Sequence, residues 1–88
     1  MTERVPGDAA APTITVYPHG ELTVYFGRHY GGVSVALEPG ITIESFIDRA
    51  GIPAKEVWLV AKNGQQVPRD ATLAPGDSLE LFAPIAGG

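Results

Sequence analysis

The chain has no cysteine in its 88 residues. That excludes disulfides, thiolate-held metals and a catalytic thiol, so no chemistry here runs through a side-chain thiol. The absence suits a reducing compartment, and a cytoplasmic location is expected. There is no run of 18 apolar residues, so no helix spans a membrane and no membrane role is expected. The opening "MTERVPGDAAAPT" lacks the basic-then-apolar order of a secretory signal. Its small residues, Pro and Gly read as a disordered leader over residues 1–12. Positive charge is also scarce: six Lys and Arg against ten Asp and Glu give a net charge of −4. The basic residues are spread from Arg4 to Arg69 without clustering, which argues against nucleic acid as a partner.

Metal and catalytic clusters are missing as well. His19 and His29 stand ten residues apart with no acidic residue at ligand spacing, and the acidic residues show no calcium-loop pattern. "GRHYGG" (residues 27–32) superficially suggests a phosphate loop. It joins two strand-like runs instead of opening a helix, so the helix-terminus physics of anion binding does not apply. An active site assembled from side chains is not expected.

What is present is a short chain of β-type runs, enough for one domain burying about 60–65 % of its unfolded surface. "TITVY" (13–17) and "LTVYF" (22–26) flank the turn formers Pro18 and Gly20, the pattern of a hairpin. In "VSVAL", Val33, Val35 and Leu37 alternate with Ser34 and Ala36, which predicts a half-buried strand. "ITIESFIDRAGIP" predicts the one helix, over about 43–50. Ile43, Phe46, Ile47 and Ala50 form a stripe on a 3.6-residue period, and Thr42 is the candidate N-cap. Gly51, Ile52 and Pro53 spell a left-handed stop. In "EVWLVAKNGQQVP", Val57, Leu59 and Ala61 are expected on one face and Trp58 and Val60 on the other. Trp58 reads as core or as docking surface, with core the expectation. Asn63-Gly64 is a strong signal for a type I′ hairpin. Leu73 reads as a buried anchor. In the last run, "SLELF", Leu79 and Leu81 point inward and Glu80 and Phe82 outward.

One helix among short strands implies an α+β domain over 13–83, of β-grasp layout: a mixed four- to five-stranded sheet with the helix packed on one face. Either Thr13–Tyr17 is the first strand, or it is an addition and Leu22–Phe26 takes the central position. The second placement is the expectation.

Past the last run, Pro84 ends the ladder and residues 84–88 read as a flexible tail. Six residues from Ala83 to Gly88 span about 20 Å when extended. Gly87 and Gly88 have no β-carbon, so their backbone fits a channel too narrow for side chains. Such a tail presents the α-carboxylate of Gly88.

"ITIESFIDRAGIP" followed by "NGQQVPRDATLAPGDSLELFAPIAGG" resembles the ThiS/MoaD family of ubiquitin-like sulfur-carrier proteins. The resemblance covers about Leu22 to Gly88. It implies that an adenylating enzyme of the ubiquitin-activating type joins AMP from ATP to the Gly88 carboxylate. A persulfide donor then converts it to a thiocarboxylate, and an acceptor synthase subunit receives the sulfur, in molybdopterin or thiamine-thiazole biosynthesis. The chain itself is then a co-substrate, not an enzyme, with ATP used by its partner and no bound cofactor. By position, the resemblance makes Phe82 a docking anchor, together with Pro84, Ile85 and Ala86 of the tail. It also matches Arg69 to the "VPR" position, where Arg69 either pairs with a partner's acidic patch or stays a solvated edge charge. A ubiquitin-like protein modifier or binding module is the alternative.

Overall fold

The computed structural model describes residues 12–28 and 31–84. Five strands form one sheet: β1 (Thr13–Pro18), β2 (Val33–Ala36), β3 (Leu59–Lys62), β4 (Gln65–Val67) and β5 (Ser78–Phe82). Their order is β2-β1-β5-β3-β4. β1 and β5 run parallel at the centre, and the other three pairings are antiparallel. One α-helix among the described residues, α1 (Ile43–Arg49), connects β2 to β3 across one face of the sheet. This is the α+β β-grasp arrangement expected from the sequence.

The helix begins and ends where its residues dictate. The Thr42 hydroxyl accepts from the Ser45 N–H, satisfying a donor that the first turn leaves orphaned. At the other end Gly51 takes φ +80°. Its N–H reaches the Asp48 carbonyl and that of Ile52 reaches the Ile47 carbonyl, which are the two bonds of a Schellman stop. Seven residues are too few to hold a helix in water alone. Burial of Ile43, Phe46 and Ile47 against Ile14, Val16, Val60, Leu79 and Leu81 holds it instead. At the β3–β4 turn, Asn63 and Gly64 both have positive φ, as a type I′ hairpin requires.

Leu22–Phe26 is not a strand, and it does not pair with Thr13–Tyr17. It lies in a 3₁₀ helix, Gly20–Phe26, while Thr13–Pro18 is the true first and central strand. Strand propensity lost because both flanks of β1 are taken, by β2 and β5. The coil satisfies its apolar residues another way: Leu22 is buried, and Tyr25 and Phe26 lie against the core. Those positions are i, i+3 and i+4, a helical spacing, and Val24 is the residue left outside. Gly27 ends the coil at φ +72°.

The second correction concerns Trp58, just before β3. Val60 faces the core opposite Leu81, whereas Leu59 pairs with Phe82 and Ala61 with Glu80 on the other face. Val57 is buried too, but it precedes the strand, so alternation starts afresh after it. Trp58 is therefore not core; it is 58 % exposed. In β5 the expected alternation is found, with Leu79 and Leu81 fully buried, and Leu73 is buried as well.

Candidate functional site

β1 and β5 are parallel, so they deliver Pro18 and Leu81 to the same rim of the sheet. The residues just past those strands define the site. The His19 N–H donates to the Leu81 carbonyl at 2.9 Å, which brings the imidazole over the Phe82 ring. The two rings stack with centroids 4.5 Å apart and planes 3° from parallel. His19 Nε2 lies 3.2 Å from Glu80 Oε2, so the imidazole is fixed by a ring on one side and a carboxylate at its edge. Phe82 is half-buried and outside the hydrophobic core, on the face opposite Leu81.

Trp58 completes the rim. Its N–H donates to the Phe82 carbonyl at 2.7 Å, so its backbone borders the last strand while its indole stands in solvent. Between Trp58 and Phe82 lies an open groove of about 770 Å³. Ala83 and exposed Pro84 form one side of it, and Gly20, Lys55 and Glu56 line the rest. The charged side chains on it are Glu21, Glu56 and Lys55. Apolar surface beside an exit strand with few charges suits protein contact more than chemistry. Among the described residues no three His, Cys, Asp or Glu come together as metal ligands.

Two polar contacts brace this region. The Tyr25 hydroxyl donates to Glu56 Oε1 at 2.6 Å, joining the first 3₁₀ helix to a second, Ala54–Glu56. That hydrogen bond is the main reason the phenol titrates above its ordinary value, with desolvation and the carboxylate's charge adding to it. Arg69 provides the other brace. Its guanidinium donates to the carbonyls of Ala54, at 3.1 Å, and Val57, and approaches that of Trp58 at 3.5 Å.

At the far end of β5 a polar lattice fixes the strand's start. Asp77 accepts from the Asn63 side-chain amide at 3.0 Å and from the Ala74 N–H at 2.8 Å. The Asn63 bond foremost holds the Asp77 carboxyl below its ordinary value; burial opposes it, and the Ala74 bond and the nearby Lys62 charge add to the lowering.

Of the residues singled out in the sequence, Phe82 and Pro84 meet at this groove. Arg69 lies behind it, engaged with the chain's own carbonyls. Ile85, Ala86, Gly87 and Gly88 lie outside the described residues, as do His29 and the leader through residue 11. Sequence reasoning leaned to core for Trp58 and gave His19 no place at this rim. Alternation counted back from Val60 puts the tryptophan inside, but β3 begins only at Leu59 and leaves it exposed, and a β1 parallel to β5 puts the "PHG" turn beside Phe82.

The strand order and the single crossing helix define a ubiquitin-like β-grasp protein. Solved structures with this fold include SAMP1, a small archaeal modifier protein from Haloferax volcanii (TM-score 0.64, 21 % identity, 86 % of this chain and 99 % of that one). A protein described as molybdopterin converting factor subunit 1 from Pyrococcus furiosus gives 0.62 at 19 % identity, over 85 % and 100 % of the two chains. Urm1 from Trypanosoma brucei gives 0.62 at 17 % identity, over 90 % and 98 %. At these identities the likeness is one of fold. No curated protein matches the sequence. The chain belongs to the ThiS family, whose sequence model matches residues 24–88.

Proposed function

We propose that this protein is a sulfur carrier whose reactive group is the Gly88 carboxylate. The observation that carries this reading is that the ThiS match runs through the closing Gly-Gly to residue 88. The groove beside Phe82 and Pro84 supports it, because it offers contact surface where the chain leaves the sheet. An adenylating enzyme docks there and takes the last residues into its active site. A Gly88 carboxylate oxygen attacks the α-phosphorus of ATP, forming a P–O bond and releasing pyrophosphate. The acyl adenylate that results has a good leaving group, which the free carboxylate lacks. The terminal sulfur of a protein persulfide attacks the acyl carbon and expels AMP, giving an acyl disulfide. A donor thiol then cleaves the S–S bond, is itself oxidised to a disulfide, and leaves the Gly88 thiocarboxylate. An acceptor synthase subunit receives that sulfur, for molybdopterin or the thiamine thiazole. The absence of cysteine means that no thiol of this chain competes for the activated end.

A second reading, ubiquitin-like modification of proteins, is favoured by the likeness to the Haloferax modifier. Intact-mass measurement after incubation with the adenylating enzyme, ATP and a sulfide source separates the two. Exchange of one oxygen for sulfur at the C-terminus supports the carrier. Lysine-linked adducts that require Gly88 support the modifier, and an unchanged chain overturns both.

A further inference from the structure

The segment that carries Trp58 has little of its own to hold it in place. The 3₁₀ turn Ala54–Glu56 buries no side chain, so apolar packing fixes only its flanks, at Ile52 and Val57. A turn of three residues is not stable by its own hydrogen bonds. Three carbonyls of this segment lie within reach of one donor group: that of Ala54, which also takes the Val57 N–H at 3.2 Å, and those of Val57 and Trp58 just past the turn. Arg69 meets those carbonyls from beyond β4. Nη1 donates to Ala54 at 3.1 Å, Nη2 donates to Val57, and the Trp58 carbonyl lies 3.5 Å from Nη2. On the other side the Trp58 N–H is held by Phe82 at 2.7 Å. The backbone of Trp58 is thus gripped from two directions while its side chain stays 58 % exposed. Fixing an exposed indole gains nothing for the core. It presets a contact surface, so that a partner meets it already ordered.

We propose that Arg69 is a positioning residue for docking: it touches no partner, and it sets the Lys55–Trp58 side of the groove in the shape the adenylating enzyme engages. This rests on the reading that such an enzyme docks at this rim. The assignment differs from a direct ion pair with a partner's acidic patch, because the guanidinium is committed to backbone carbonyls within the chain. A lysine ammonium is a point charge and cannot reproduce a fork spanning two or three carbonyls.

The test uses Arg69→Gln and Arg69→Lys in the full chain, at a temperature where circular dichroism shows both folded. Trp58 is the only tryptophan, so its fluorescence reports on this segment without any enzyme. Positioning predicts lower anisotropy and about twofold stronger acrylamide quenching in both variants, because the grip on the backbone is lost. With the enzyme, KM for the carrier in ATP–pyrophosphate exchange rises about tenfold in both, a change of about 1.4 kcal/mol, while kcat stays near wild type. Wild-type fluorescence in both variants overturns the proposal. So does a wild-type KM in Arg69→Lys alone, which marks a charge pair with the partner. If the wild-type chain is never adenylated, the carrier reading falls, and the fluorescence still decides whether Arg69 holds Trp58.

Discussion

At Phe82 two demands meet: the ring belongs to a strand that must close the core, and it faces away from that core. Leu81, its neighbour, is fully buried among Val16, Val60 and Leu79. Leu81→Ala removes core volume and should cost about 2–5 kcal/mol of stability. Phe82 is outside the core and stacked on His19, an arrangement that contributes about 0.5–1.5 kcal/mol beyond area burial. Phe82→Ala should therefore lower Tm much less than Leu81→Ala does, yet raise KM for the adenylating enzyme about tenfold, as loss of an aromatic interface anchor does. Thermal unfolding and exchange kinetics on both variants check this, and a Tm loss for Phe82→Ala equal to that of Leu81→Ala sinks it.

Asp77 allows a pH prediction at the same scale. Its folded-state carboxyl titrates below its unfolded value, chiefly through the Asn63 hydrogen bond. The native state then binds this proton less readily than the unfolded one. The stabilisation is fully present above the ordinary carboxylate range near about 3.9 and is lost as pH falls through the lower folded value. Asp77→Asn should lower Tm at pH 7, and its difference from wild type should shrink on acidification. A difference that stays constant as the pH falls through the carboxylate range would exclude the Asp77 charge as the source.

Among the elements, those bounded by local chemistry were legible and those bounded by neighbours were not. Helix α1 carries its own cap and its own stop, so Thr42 and Gly51 mark it correctly. The β3–β4 hairpin is likewise written in Asn63-Gly64, and the inward side of β5 in the alternation of Leu79 with Leu81. Leu22–Phe26 has strand residues but no free strand flank to join, and it coils instead. Trp58 precedes β3 and escapes its alternation, so it stands in solvent although Val60, two positions on, is in the core. Arg69 shows the same limit for a side chain. Nothing around it in sequence predicts the carbonyls of Ala54 and Val57, which are 12 to 15 positions away.

For the molecule as a whole, the buried core reaches only as far as Leu81 along the last strand, and the proposed chemistry lies seven positions later, at Gly88. Adding one residue after Gly88 should abolish adenylation, measured by ATP–pyrophosphate exchange, while leaving Tm unchanged. Full exchange activity in that extended chain would show that the carboxylate of Gly88 is not the group acted upon. The sequence alone determined the capped helix and the tight hairpin, because each is fixed by residues within one turn of each other. Only the tertiary structure decided which run became the central strand, what Arg69 binds and that Trp58 stands beside Phe82 at one rim. Those outcomes depend on pairings between distant segments, chiefly the parallel union of β1 with β5, and local periodicity carries no record of them.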